Sequence, residues 1–173
     1  MKNTNETLAI APAHTQQLAL SVFSTAEAFE HAQRAARLIA SSDLVPQQFR
    51  GPSGIANCVL GLEMAHRLGA SPLAVLQNLY IVHGRPAWSS QFLISMVNAS
   101  GRFQPLQFEM SGEGDDYGCT AAAKLKDGSD VVKGPKVTIG MAKAEGWFGK
   151  AGSKWQTMPE LMLRYRAATF FSR

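Results

Sequence analysis

The spacing of the apolar residues changes along this chain, and that change limits the folds it can adopt. From Ser24 onward, apolar residues recur mainly every three or four positions, the period of an amphipathic helix. Residues 103–110, 117–125 and 131–139 instead have the composition of strands and are joined by turns rich in Gly and Asp. Helical spacing returns after Pro159. This order predicts an α+β fold, with helices around a small antiparallel sheet and a long C-terminal helix.

Cap and turn residues predict the element boundaries. A short polar side chain accepts hydrogen bonds from the first amides of a helix, and Gly ends a helix because it tolerates positive φ. These signals predict helix starts at Ser24-Thr25, Ser53, Ser71-Pro72 and Ser89-Ser90, and a helix end at Gly69. Residues 80–82 and 86–88 predict a hairpin with Gly84 in its turn. Residues 140–153 read as an irregular basic loop that starts with a helical turn.

The domain prediction is a loose N-terminal arm, 1–20, followed by a single core, 21–173. The arm is polar and without sustained period, whereas the rest has the length of one globular domain. No apolar run reaches the roughly 18–20 residues of a membrane-spanning helix, and the start lacks a secretion signal. We therefore expect a cytoplasmic protein that does not contact a membrane, with Cys58 and Cys119 as reduced, buried thiols.

Positive charge is concentrated near the end of the chain. Residues 1–135 hold ten Lys and Arg against eleven Asp and Glu, whereas residues 136–173 hold seven basic residues against Glu145 and Glu160. The net charge of +4 is modest for a protein that binds nucleic acid. The distribution therefore indicates the C-terminal quarter as the place where an anionic partner binds.

Motifs of common catalytic sites are missing from the sequence. There is no Gly-rich phosphate loop ending in Lys-Ser/Thr, no G-x-G-x-x-G after a strand, no G-x-S-x-G and no H-E-x-x-H. The histidines and cysteines are not at ligand spacing. We therefore expect no enzyme activity, no cofactor, no metal and no nucleotide hydrolysis. Asp115 and Asp116 leave a metal pair open as an alternative, although GEGDDYG is typical of a solvated turn.

Basic and aromatic residues alternate near the C-terminus. Proteins that bind single-stranded DNA combine cations for phosphates with rings that stack on bases, although a buried Trp and a solvated Lys face would give the same composition. In a helix from Pro159, Arg166 and Arg173 share one stripe with Met162 and Thr169, about 10.5 Å apart along the axis. Since that helix carries only Glu160 as an acid, its two aligned arginines should line a groove or meet an external anion. Arg164 lies on the opposite side of this helix, so we expect it to have a structural role or to contact another subunit.

Two long blocks of the chain carry a series of motifs in a fixed order. The first is LGASPLAVLQNLYIVHGRPAWSSQFLISMVNASGRFQPLQFE, with its Gly-x-x-Pro, Tyr-containing strand, Gly turn and following helix. The second is AEGW…KWQTMPELMLRYRAATFFSR, with its Trp, Pro, Met-Leu-Arg and basic-Ala run. Together they resemble the RecT/Bet (Red-beta-like) family of phage single-strand annealing recombinases, and the resemblance covers about residues 50–173. Glu160 and Leu161 depart from it, because some relatives are basic after the proline.

The resemblance implies ATP-independent annealing of complementary strands by a homo-oligomer, as a ring or helical filament, that binds single-stranded and annealed duplex DNA. It also implies a variable C-terminal tail, which we expect to be missing from this chain, through which a phage exonuclease and a host single-strand binding protein would associate. The residues expected to contact DNA are Arg166, Arg173, Trp155, Lys154, Lys150, Lys143, Lys124 and Lys126. Residues 80–100 or the N-terminal arm are expected to form the subunit contact.

Two other classes of function remain open. One is a small metal-dependent hydrolase that uses Asp115 and Asp116, and the other is a basic helical module for protein interaction. The feature that separates the annealing hypothesis from both is the stripe of Arg166 and Arg173 beside Trp155, which only annealing requires.

Overall fold

A computed structural model describes residues 21–173. The chain divides into two compact units, 1–77 and 78–173. The predicted arm, 1–20, lies outside the described residues. The single core proposed for 21–173 stays a prediction.

Helices build the described part of the first unit. Its α1 spans Ala26–Ala40, α2 spans Gly51–Leu68, and α3, Pro72–Asn78, begins in this unit. The Thr25 hydroxyl caps α1 by accepting a hydrogen bond from Ala28 N, as the sequence predicts. α1 packs on α2, and its buried residues are the small Ala32, Ala36 and Ala40, spaced four apart along one face.

The start of α2 differs from the prediction. Ser53 does not cap this helix, because the helix already begins at Gly51 and Arg50 is its extended N-cap residue. A close local contact accompanies this start: a Cβ at Gly54 would lie 2.2 Å from the carbonyl carbon of Phe49, so the first turn packs directly on the preceding backbone. The predicted end is confirmed, since Gly69 adopts a left-handed conformation with φ 60°.

A buried carboxylate ties the start of the described chain to α2. Glu63 is only 6% exposed, and its carboxylate accepts hydrogen bonds from Ser21 Oγ at 2.8 Å, Val22 N at 3.0 Å and Arg67 Nε at 2.6 Å. The bond from Arg67 is the largest cause that lowers the pKa of Glu63, and the bond from Ser21 follows. Glu63 therefore remains ionised while it anchors residues 21 and 22.

The second unit opens with the predicted hairpin. Strands β1, Leu79–Val82, and β2, Arg85–Trp88, pair antiparallel around a two-residue turn. Both turn residues have positive φ, 49° at His83 and 74° at Gly84, as a type I′ hairpin turn requires. The next helix, α4, spans Ser90–Ala99 and is capped by Ser89, whose hydroxyl accepts from Phe92 N. The hairpin and this cap are confirmed.

A small antiparallel sheet forms the centre of the second unit. β4, Gly118–Lys124, lies in the middle, with β3, Gln107–Ser111, on one side. Two short strands, β5 (Val131–Lys133) and β6 (Val137–Thr138), share the other side. The prediction of one strand over 131–139 is therefore wrong. Gly134 and Pro135 interrupt it, and Pro135 has no amide hydrogen for a sheet bond.

Three helices follow the sheet. α5 spans Ile139–Ala144, α6 spans Lys154–Thr157, and α7 spans Pro159–Phe171. α7 packs on β4, where the small side chains of Cys119, Ala121 and Ala123 make room for the fully buried Leu163. Proline occupies the first position of α7, as the sequence predicts. The α+β fold with a long C-terminal helix is confirmed.

Two further predictions can be compared with the described residues. Cys58 and Cys119 are free and buried, and burial raises the pKa of both thiols. Within 21–173, no helix combines the length and the apolar character needed to cross a membrane.

Candidate nucleic-acid interface

An open cleft of about 510 Å³ lies beside α7 in the second unit. One wall is α7 itself, and the other is the turn-rich segment between α5 and α6 together with α6. Aromatic and basic side chains dominate its lining, which consists of Ser90, Trp147, Lys150, Ala151, Ser153, Lys154, Trp155, Met162, Tyr165 and Arg166.

Arg166 occupies an unusual position in this cleft. Its guanidinium carbon lies 3.8 Å from the centre of the Trp147 ring and 5.3 Å from that of Phe170. Its Nε is buried and has no hydrogen-bond partner. Burial is the main cause that lowers the pKa of Arg166, the charge of Arg173 adds to it, and Glu145 opposes it. The side chain still carries its charge at neutral pH, because arginine titrates far above that range.

Trp155 is the one buried residue in the lining of the cleft. Only 6% of it is exposed, and its ring centre lies 5.6 Å from that of Trp147. The Ser153 hydroxyl donates a hydrogen bond to the Trp147 carbonyl at 2.7 Å. A base contact by Trp155 stays a prediction, although burial leaves little of its ring for stacking. Trp147, half-buried at the surface, is the more accessible of the two rings.

The residues of the predicted stripe on α7, from Met162 to Arg173, have different surroundings at its two ends. Met162 and Arg166 line the cleft, whereas Thr169 is occupied by hydrogen bonds to the Tyr165 carbonyl and to Ser90 Oγ. The Arg173 guanidinium lies 5.6 Å from the Phe170 ring, on which Arg166 also rests at 5.3 Å. The two guanidinium carbons are therefore at most about 11 Å apart, the sum of these two distances.

The ion pairs separate the basic residues of this unit into two groups. Lys143 pairs with Asp115, and Arg164 pairs with Glu160 at 3.9 Å. Across residues 21–173, none of the ion pairs includes the remaining six predicted cations, which are Lys124, Lys126, Lys150, Lys154, Arg166 and Arg173. These six cations form no ion pair in the described part of the chain, although the charge of Glu145 acts on Arg166 from a greater distance. The structural role predicted for Arg164 agrees with its pairing along α7.

Lys124 and Lys126 lie near the other end of α7. The residue between them, Leu125, forms a bridge with Phe103, whose ring is 5.6 Å from that of Phe171. Neither lysine lines the cleft, and because side chains alternate along a strand, Lys124 projects from the face of β4 opposite to the one on which α7 packs. Backbone pairing continues to Arg102, whose carbonyl accepts a hydrogen bond from Lys126 N at 2.8 Å, and the Arg102 guanidinium lies 5.7 Å from the centre of the Phe103 ring.

The carboxylates proposed as an alternative metal pair are engaged with lysines. Asp115 and Asp116 lie in a single helical turn, Gly114–Asp116, where Lys143 pairs with the first and Lys136 with the second at 2.9 Å. Glu109 pairs with Lys133 at 2.8 Å. No group of three or more potential metal ligands is found within the described part of the chain. The turn interpretation of this segment accounts for these contacts.

Several residues of the cleft lining were not predicted as site residues. Trp147 and Tyr165 belong to the segment in which basic and aromatic residues alternate but were given no DNA contact, and Ser90 was predicted only as part of a helix start. Tyr165 accepts a hydrogen bond from Gln91 Nε2 at 3.2 Å. The sequence context of Ser90 indicates only a helix start and gives no sign of its contact with Thr169, which is 79 positions away.

No protein-family model, curated protein or solved structure matches this chain. The case for a function therefore depends on the geometry of the cleft and on the residues that carry the family resemblance.

Proposed function

We propose that this protein is a non-enzymatic, ATP-independent single-strand DNA annealing protein of homologous recombination. It binds single-stranded DNA and the annealed duplex along α7 and the adjoining cleft. The DNA contacts are Arg166, Arg173, Lys150 and Lys154, with Lys124, Lys126 and Lys143 as further contacts. The proposal includes the resemblance to the RecT/Bet family and a place in the cytoplasm of a bacterial host.

One observation carries the proposal: Arg166 keeps a buried Nε without a partner and forms no ion pair within residues 21–173. Arg166 is half-buried, and removing its Nε from water without a hydrogen-bond partner has a desolvation cost. Arg164, by comparison, lies 3.9 Å from Glu160 on the same helix. An external anion would complete the environment of Arg166, and a phosphate of the DNA backbone fits a guanidinium beside two lysines.

Annealing follows from charge neutralisation and positioning. Two complementary strands repel each other because each phosphate carries a negative charge, and cations on a protein release the counterions that surround each strand. A row of cations along α7 can therefore hold one strand while a second pairs with its bases. Base pairing itself lowers the free energy, so the reaction requires neither nucleotide hydrolysis nor a metal ion.

Self-association is part of the proposal. One small domain covers about 4–16 nucleotides by analogy with other single-strand binders, so holding two strands in register requires many copies. A repeated head-to-tail contact forms a ring when it closes and a helical filament when it does not. β1 offers a candidate contact surface, because Tyr80, Ile81 and Val82 are 50%, 42% and 50% exposed. A phage exonuclease and a host single-strand binding protein are the proposed partners beyond the homo-oligomer.

The test compares two arginines on the same helix. Arg166→Gln should weaken binding of a fluorescent oligo(dT) and flatten the dependence of log K on log salt by ~0.7 for the lost phosphate contact. Arg164→Gln is the matched control, because it removes the same charge from an arginine that pairs with Glu160. Fluorescence anisotropy over a salt series measures both slopes, and thermal unfolding verifies that both variants fold.

Equal slopes for Arg166→Gln and the wild type would contradict the assignment of the cleft to DNA. Equal losses in the two variants would indicate a response to net charge instead of a site. Mass photometry with complementary strands tests self-association, since a monomer on annealed DNA at saturating protein would contradict the oligomer.

A further inference from the structure

Trp147 makes the closest of the cation–ring contacts in the described residues. The Arg166 guanidinium lies 3.8 Å from its centre, whereas the other such contacts measure 5.3 to 5.8 Å. Indole is the best of the natural rings for attracting a cation, and the attraction grows as water is excluded. Trp147 therefore provides Arg166 with a stabilising partner that is not a carboxylate.

The surroundings of Trp147 hold its ring in place. The ring of Trp155 lies 5.6 Å away and belongs to the buried core. The Trp147 carbonyl accepts from Ser153, and Gln156 Nε2 donates to the carbonyl of Phe148 at 2.8 Å, so side chains at and after the start of α6 fix this segment. With Arg166 on its ring and Trp155 beside it, Trp147 has little surface left for stacking on a base.

A ring and a carboxylate affect a bound arginine differently. A carboxylate would hold the guanidinium but neutralise its charge, and a phosphate would then have to displace it. An aromatic ring holds the guanidinium through its quadrupole and carries no net charge of its own. Phe170 extends this arrangement, because Arg166 and Arg173 lie 5.3 Å and 5.6 Å from its centre. Two like charges thus contact one ring, and neither forms an ion pair within residues 21–173.

We infer that Trp147 is a positioning residue that holds the Arg166 guanidinium over its indole, so that this charge meets a phosphate of single-stranded DNA without displacing a carboxylate. The inference rests on the proposed function. It assigns Trp147 an action through Arg166 and not a stacking contact with a base.

The first part of the experiment uses no DNA. Ring currents shift protons above an indole upfield, and a buried Nε–H exchanges slowly with water. NMR of the arginine Nε–Hε groups should therefore show one upfield-shifted, slowly exchanging signal in the wild type, which Arg166→Gln assigns by its loss. Trp147→Leu should return that signal to the position of the exposed arginines. Trp88→Leu is the matched control, because Trp88 is also half-buried but stacks on Phe92 at 4.9 Å.

The second part measures binding of oligo(dT) in the same variants. Trp147→Leu should weaken binding by about 2- to 30-fold, the factor that corresponds to a cation–π contact. Trp147→Phe should retain part of the affinity because it retains a ring. In the double variant with Arg166→Gln, the loss should be smaller than the product of the two single losses, since both substitutions remove one contact. Thermal unfolding separates this effect from a general loss of stability.

The outcomes distinguish the inference from the function on which it rests. An Arg166 signal at the ordinary position, or one unmoved by Trp147→Leu, overturns the positioning role whatever the DNA result. Losses that multiply fully in the double variant also overturn it, because they indicate an independent contact of Trp147 with DNA. A wild type with the shifted signal that binds no oligo(dT) overturns the proposed function, and with it the DNA role of this contact.

Discussion

Replacing Asp115 and Asp116 together by Asn separates the annealing hypothesis from the hydrolase alternative. The double variant raises the net charge from +4 to +6, since two carboxylates are lost. Asn has almost the same shape as Asp, which matters because the Asp116 side chain packs closely on Gly112, where a Cβ would lie only 2.6 Å from Asp116 Oδ2. The substitution therefore changes the charge of this turn while preserving its packing.

The ion pairs of the turn set the magnitude of the expected effects. Lys143 is 50% exposed and its partner Asp115 66%, and pairs this exposed contribute about 0.2–1 kcal/mol each to the free energy of unfolding. The loss of stability should therefore stay below about 2 kcal/mol. Binding of single-stranded DNA should strengthen. If the released Lys143 contacts one phosphate, the salt dependence becomes steeper by ~0.7, which corresponds to about a 2.6-fold difference over a fourfold change in salt.

Anisotropy with oligo(dT) and urea unfolding measure these quantities. The control places the same substitutions in a background with Lys136→Gln and Lys143→Gln, where neither released lysine remains and the steeper slope should disappear. Weaker DNA binding by a folded double variant would refute the reasoning. So would Mn²⁺ binding by the wild type that the double variant loses in calorimetry, because it would favour a metal-dependent hydrolase.

Further predictions concern stability. Leu163→Ala should lower the free energy of unfolding by about 2–5 kcal/mol in urea, because Leu163 is fully buried against β4. Gly54→Ala should destabilise the first unit, since its Cβ would lie 2.2 Å from Phe49 backbone, whereas Gly149→Ala meets nothing within 4 Å and should be tolerated. Because the pKa of Glu63 is lowered, its stabilising contribution is complete above its unfolded pKa and is lost as the pH falls through the lower folded pKa. Glu63→Gln should therefore reduce the acid dependence of the urea midpoint, and an unchanged dependence would contradict this role.

Features with local causes could be predicted from the sequence. The caps at Thr25 and Ser89, the helix end at Gly69 and the hairpin turn at Gly84 depend on one or two residues with distinctive backbone preferences. The α+β order follows from the change of apolar period.

Features that depend on how segments of the chain pack and pair could not be predicted. The start of α2 brings Gly54 into close contact with Phe49, and composition does not show whether a proline such as Pro135 interrupts a strand or flanks it. Composition also does not show which of Trp147 and Trp155 is buried, because that depends on how their segment packs against α7. Pairing of Lys143 depends on Asp115, 28 positions away, so counting charges did not distinguish it from the unpaired lysines.

The most direct test of the proposed function is annealing of complementary oligonucleotides, followed by fluorescence quenching, in EDTA and without nucleotide. The wild type should accelerate annealing, Arg164→Gln should remain close to it, and Arg166→Gln should be slower at equal protein concentration. No acceleration by the wild type under these conditions, or acceleration that appears only when ATP is added, would contradict an ATP-independent annealing protein.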